Sequence, residues 1–177
     1  MRIPIYTLVV RRNVATRYDR SRSRDPETRA CRPRMRVPVF RVVLRRERTI
    51  NVPRAKVSHQ EDARAFAHAF IGDRPFEHLL AILLNSQNAV VGVVVIATSS
   101  EVGRTSVSVR GVFTAAIAHN ASGVILAHNH PSGDPSPSRD DVTFTEKARE
   151  AATILGIPIL DHFIVTMDPE RWGTVIC

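Results

Sequence analysis

Cysteine is nearly absent from this chain. Cys31 and Cys177 are the only two in 177 residues, too few and too peripheral for a disulfide framework or a zinc knuckle. Long apolar runs are missing too: none approaches the roughly 20 residues that a membrane-crossing helix needs, so no membrane association is expected. The first twelve residues hold only a short apolar patch, Pro4 to Val10, without a small-residue cleavage site, which argues against a secretory leader. The compartment expected by default is the cytoplasm. What remains, 44% hydrophobic and 24% charged, suits a globular chain long enough for one domain with a sizeable core.

Acidic residues are scarce at one end. Residues 1–56 hold 17 Lys/Arg against 4 Asp/Glu, whereas residues 57–177 hold 8 against 13. The net charge of +8 is therefore an N-terminal property, and the remainder is mildly acidic. A basic arm of this kind can contact nucleic acid phosphates without sequence preference. Aromatic residues are sparse beside it, with Tyr18 alone near the most basic stretch, so a solvated leader is the competing reading.

The basic end also carries a repeat. Met1 to Arg12 matches Met35 to Arg46 at six of twelve positions, an offset of 34 residues, and each copy alternates well enough for a strand. Between them Asn13 to Arg34 is polar and Arg-rich and reads as linker. The expected division is a basic extension over 1–34, open to disorder, and a domain over 35–177 with its metal-binding core at about 75–165.

Past Pro53 the elements are clearer. Ser58-x-x-Glu61 has the form of a capping box opening a helix to about Ile71, with Gly72 as its stop. His78 to Leu84 and Ala89 to Ala97 read as a hairpin around Asn85–Asn88. A polar bend, Thr98 to Arg104, leads to an extended piece, Thr105 to Arg110, and then a helix over Val112 to His119. Val124 to Ala127 is a short apolar run of buried-strand type. Ser138 is placed to cap a helix from Arg139 to Leu155 that Gly156 ends, with Asp140 and Asp141 in its first turn. Ile157 to Met167 reads as a last strand. Strands and helices interleave with hairpins, so the expected class is α/β with a mixed sheet between helices.

The chemistry concentrates at His128-Asn129-His130 with Ser138 and Asp141 downstream. Two imidazoles and a carboxylate can close on one metal ion, and three protein ligands with an open fourth position are how catalytic zinc is held. Alternation along an extended backbone points both rings to one side. Asp141, on the first turn of a helix, can reach back to the strand end. The Pro- and Gly-dense loop Pro131–Pro137 fixes its own shape, which suits a preorganised site. A bare His-x-His is otherwise a weak signal, since nearby histidines are often surface or satisfied core residues.

The run Ile125 to Asp141, followed by Leu155-Gly-Ile-Pro-Ile-Leu-Asp-His162, closely resembles the RadC-type branch of the JAB/MPN (JAMM) metalloprotein superfamily. The likeness extends from about Met35 to Val165. It implies the JAB/MPN fold, a mixed sheet sandwiched by helices with cytidine-deaminase-like layering. It also implies one zinc ion held by His128, His130 and Asp141, with Ser138 donating to a developing oxyanion. The reaction class implied is hydrolysis of an amide bond in a peptide or protein substrate.

One residue of the family pattern is missing. The resemblance implies a general-base Glu at a position matching Val94, Val95 or Ile96, and none of these is acidic. The nearest carboxylate is Glu101, in the polar bend. Either Glu101 serves from the loop, or the base is absent and the domain binds zinc without turnover. That second possibility fits a DNA-repair or mobile-element context, with the basic arm on DNA. A nuclease fits less well, because one three-ligand site lacks the second metal common in phosphoryl transfer.

Further residues rank lower. Asp134 can shape a substrate cleft or simply form a turn. Asp161 and His162 match a Leu-Asp-His of the family and can supply a hydrogen bond behind a zinc ligand. Arg110 can contact substrate or be solvated. His59, His68, His78 and His119 lack partner spacing and are expected to be structural, and the apolar stripe of the 111–121 helix is expected to be core.

Overall fold

A computed structural model describes residues 2–13, 39–51, 56–98 and 107–175. Within them lie strands β1 (Arg2–Asn13), β2 (Val39–Asn51), β3 (His78–Leu84), β4 (Val90–Thr98), β5 (Gly123–Asn129), β6 (Ile159–Val165) and β7 (Trp172–Thr174). Helices α1 (Gln60–Ile71), α2 (Val109–Ala118) and α3 (Arg139–Leu155) complete the set. The strands form one mixed sheet in the order β2-β1-β4-β3-β5-β6-β7. Among the described residues no helix is long and apolar enough to cross a membrane.

The sheet is centred on its most apolar strands. All seven residues of β5 are buried, and so are Leu79 to Leu84 of β3, as expected of strands covered on both faces. Alternation sends Leu80, Ile82, Ile125 and Phe163 to one side, where they pack under Phe66 and Phe70 of α1. Ala81, Leu83, Val124 and Leu126 face the other side, under Val112 and Phe113 of α2 and Ala148 and Ala152 of α3. The stripe on α2 is thus core, and the helix–sheet–helix sandwich expected from the sequence is what the chain forms.

Local chemistry explains the connections. In the β3–β4 turn the Asn85 side-chain oxygen accepts from the backbone N–H of Gln87 and Ala89, each at 2.9 Å. Asn88 completes the turn at φ 59°, a conformation Asn tolerates better than most residues. β5 and β6 run parallel with α3 between them. Ser138 caps α3, accepting from the Asp141 N–H at 3.2 Å, and Gly156 ends the helix at φ 67°.

Several boundaries differ from the sequence reading. The α1 N-cap is His59 rather than Ser58, and Asp62 rather than Glu61 accepts from the backbone, taking the N–H of Ser58 at 2.9 Å and of His59 at 3.2 Å. Gly72 closes α1 in a right-handed conformation. The extended piece expected to end at Arg110 gives way to helix, because Ser108 takes the N-cap position of α2 and Val109 and Arg110 form its first turn. β6 is shorter than the run 157–167, and β7 was not foreseen: three residues carry no periodicity, and only pairing with β6 makes them a strand.

The two repeat copies are partners. β1 and β2 pair antiparallel with Leu8 opposite Leu44 and Val9 opposite Val43, and β1 meets β4 in parallel at Ile5 and Val93. Residues 2–13 of the expected extension therefore lie in the sheet. The Arg-rich linker and both cysteines lie outside the described residues.

Candidate metal centre

The site forms where β5 runs out. His128 is the penultimate residue of that strand and pairs with Leu79 on β3 and Ile164 on β6. His130 lies one residue beyond the strand and stays in register, its N–H donating to the Val165 carbonyl at 2.9 Å. With Asn129 between them pointing the opposite way, both rings fall on the face covered by α3. Their Nε2 atoms are 2.9 Å apart. Asp141, in the first turn of α3, brings Oδ1 to 3.3 Å from His128 Nε2 and Oδ2 to 3.8 Å from His130 Nε2.

Proton bookkeeping shows what these atoms offer one another. Thr145 donates its one hydroxyl proton to the Asp141 carbonyl at 2.6 Å. The 2.7 Å contact between Thr145 Oγ1 and His162 Nδ1 must then be donated by the histidine. His162 is 1% exposed, and burial above all pushes its pKa down to about 3. It is therefore neutral, with an unprotonated Nε2, and accepts from His128 Nδ1–H at 2.9 Å. That fixes the neutral His128 tautomer with its Nε2 lone pair bare. His130 is fixed likewise, because its Nδ1–H donates to the Asp134 carbonyl at 2.7 Å.

Two bare nitrogens so close need something positive between them. A proton or a metal ion can serve, and the third group decides which the geometry suits better. Asp141 Oδ2 already accepts from the Ser138 N–H at 2.8 Å and the Ser138 hydroxyl at 2.6 Å, which leaves Oδ1 facing the nitrogens. Burial would raise the Asp141 pKa, but positive charge at His128, such as a shared proton or ion would place there, and the donors of Ser138 outweigh it and hold the carboxylate ionised. A tetrahedral zinc with ~2.0–2.1 Å bonds spaces its ligand atoms about 3.3 Å apart. The observed separations of 2.9, 3.3 and 3.8 Å bracket that spacing. Residues His128, His130 and Asp141 can hold a metal ion.

The other candidates are sorted by the same contacts. His162 stands behind His128, as the sequence allowed. Ser138 directs its proton at Asp141, so here the hydroxyl orients a ligand rather than waiting for an oxyanion. Asp134 reaches His130 through its backbone carbonyl. Its carboxylate instead accepts from the Ser136 N–H at 3.0 Å, a bond that lowers its pKa and gives the side chain the turn-forming role. Asp161 must be corrected: adjacent strand residues point to opposite faces, and it bonds Gln60 at 3.1 Å and Thr174 at 3.2 Å, away from the metal group. Arg110 is exposed in the first turn of α2, and among the described residues nothing ties it to the site. Glu101 lies outside the described residues.

Two residues were missed. Thr145 is four residues after Asp141 on one helix face, a spacing that could have flagged it. Asn129, 1% exposed, accepts from the His78 N–H at 2.8 Å and donates to the carbonyls of Arg74 and Phe76 at 3.1 and 3.0 Å. It ties the α1–β3 connection to the strand that carries the histidines. Of the four histidines expected to be structural, His68, His78 and His119 each bond a backbone carbonyl and His59 caps α1.

Comparison with known proteins identifies the family. Residues 57–171 match the model of the RadC-like JAB domain. A UPF0758 protein of Methanosarcina mazei is 35% identical over 127 residues, covering 72% of this chain and 55% of the relative. UPF0758 proteins of Caldanaerobacter subterraneus and Geobacter sulfurreducens are 47% identical over 89 residues and 41% over 98. Those matches cover 50% and 55% of this chain and 38% and 42% of the relatives. The chain thus spans about half the length, or less, of the curated relatives it matches.

Proposed function

Because the chain belongs to the RadC-like JAB domain family, we propose that His128, His130 and Asp141 hold one zinc ion and that the domain hydrolyses an amide bond of a peptide or isopeptide substrate. The observation that carries this reading is the convergence of two imidazole Nε2 atoms and an ionised carboxylate on one point. Zinc bound there supplies a Lewis acid for the substrate carbonyl and lowers the pKa of water to about 7. Three protein ligands leave a fourth position open for such chemistry.

The chain's own residues have separate tasks. The Thr145–His162 relay holds the His128 tautomer, and the Asp134 carbonyl holds that of His130. Ser138 orients Asp141, and it acts on an oxyanion by turning its proton from that carboxylate to the substrate oxygen. β4 offers no base, since Val94 and Ile96, packed with the core on the α2/α3 face, are apolar. The proton acceptor in this reading is Glu101, which takes a proton from water and passes it to the leaving amine. The proposed setting is the cytoplasm.

That apolar β4 also favours a second reading: a zinc-stabilised domain without turnover, in a DNA-repair or mobile-element context, its basic N-terminal segment on nucleic acid phosphates. One set of assays separates the two. Amide hydrolysis requires cleavage of a peptide or isopeptide panel that a chelator abolishes and zinc restores. His128→Ala is expected to be inactive, and Glu101→Gln slower by ~10²–10⁴-fold. Stoichiometric zinc without cleavage, together with salt-dependent DNA binding lost on replacing Arg17, Arg20, Arg22 and Arg24 of the linker by glutamine, removes the hydrolase and leaves the second reading.

A further inference from the structure

β7 is only three residues long, yet its middle residue bears on the metal group. In the register of the sheet His128 lies beside Ile164, and Ile164 beside Gly173, so the three form one row across β5, β6 and β7. Residues paired in a row share a face, so a side chain at 173 would point to the side on which the metal group sits. Position 173 has none, and the 131–137 loop uses the space. A Cβ built on Gly173 would overlap the Pro135 carbonyl oxygen and lie 3.1 Å from its carbonyl carbon. A glycine inside a strand marks this kind of close approach by another backbone.

We propose that Gly173 is a positioning residue for the metal centre, its missing side chain seating the loop whose Asp134 carbonyl fixes the His130 ring. The inference rests on the metal reading above. Pro135 follows Asp134 directly, and the Asp134 carbonyl accepts from His130 Nδ1–H at 2.7 Å. Real Cβ contacts stay above 3.0 Å, so any side chain at 173 must push the Pro135 carbonyl outward. The obstacle is backbone, held by a proline-rich loop, and cannot rotate aside as a flexible side chain would. A shift of about an ångström is enough to loosen a preorganised site. It stretches or breaks the bond that keeps the His130 Nε2 lone pair aimed at the metal. His128 has a different support, the relay through His162, so the disturbance falls on one ligand of the three.

The test measures zinc affinity of the full chain by competition with a chromophoric chelator, alongside the visible spectrum of the cobalt-substituted protein and the melting temperature of the metal-free protein. Gly173→Ala is expected to bind zinc 10–100-fold more weakly, the loss typical when a ligand's support is removed. Its cobalt spectrum should change, while metal-free melting falls by only a few degrees as the loop is displaced. A substitution that merely weakened β7 would lower melting and leave the cobalt spectrum as it was, and that result overturns the proposal. So does wild-type zinc affinity in Gly173→Ala. If that variant does not fold, Pro135→Gly keeps the carbonyl that faces Gly173 but frees the backbone of the loop seated there, without adding an atom. It is expected to bind zinc about tenfold more weakly, and unchanged affinity there overturns the proposal equally. Wild-type protein titrated in parallel separates the two failures: no zinc binding by wild type sinks the metal reading itself and this inference with it.

Discussion

Replacing His162 with leucine tests the support of the metal group most sharply. The side chain is buried among β5, β6 and α3 and has no access to substrate or solvent. Among the described residues its side chain makes two hydrogen bonds, to His128 Nδ1 at 2.9 Å and Thr145 Oγ1 at 2.7 Å. Leucine has similar bulk, so little cavity is left. The variant strands the His128 Nδ1–H without an acceptor, and a buried unsatisfied donor costs about 1–3 kcal/mol. Thr145 keeps its bond to the Asp141 carbonyl and loses only an incoming donor. Relief from burying an imidazole offsets part of the cost, so about 1–2 kcal/mol is expected, which for a chain of this size lowers melting by roughly 2–8 °C. The larger effect is on metal. Freed of its partner, His128 can carry its proton on Nε2, and zinc affinity should fall 10–100-fold. Chelator competition reads the second effect and thermal melting of metal-free protein the first. Zinc affinity within twofold of wild type would refute the tautomer assignment.

Ser138→Ala removes both the α3 cap and the hydroxyl donor to Asp141. Melting should reflect a loss of about 1 kcal/mol, zinc should bind more weakly, and an unchanged melting curve contradicts the capping role. The metal-free protein should lose stability in mild acid. The folded-state pKa of His162, about 3, lies below its ordinary 6.5, so between these values the unfolded chain binds a proton that the folded chain does not. Stability is complete above about 6.5 and falls towards pH 3 by up to about 1.4 kcal/mol per pH unit. The depressed pKa of Asp141 acts in the same direction below the usual carboxylate range. Urea midpoints at pH 7, 6 and 5 check this, and midpoints that do not move contradict a buried neutral His162.

The metal group was legible in the sequence because its parts are local. His128 and His130 share a strand end, and Asp141 follows a loop whose prolines leave it few shapes. The cap at Ser138 and the stop at Gly156 also fixed α3 at Arg139–Leu155. What sequence spacing could not convey was side-chain direction in three dimensions. Asp161 and His162 are neighbours in the chain, yet strand alternation sends one towards α1 and Thr174 and the other towards the metal group. Thr145 and Gly173 act on the site through partners 17 and 38 residues away, Thr145 touching His162 and Gly173 touching Pro135. β7 exists only because β6 offers an edge to pair with.

The measurement closest to the central claim is the metal content of the carefully purified protein, read by elemental analysis with thermal melting before and after chelation. The account predicts one zinc per chain, a lower melting temperature once it is stripped, recovery on adding zinc, and no stoichiometric metal in His128→Ala. Protein that carries no transition metal and whose melting temperature ignores added zinc would contradict it.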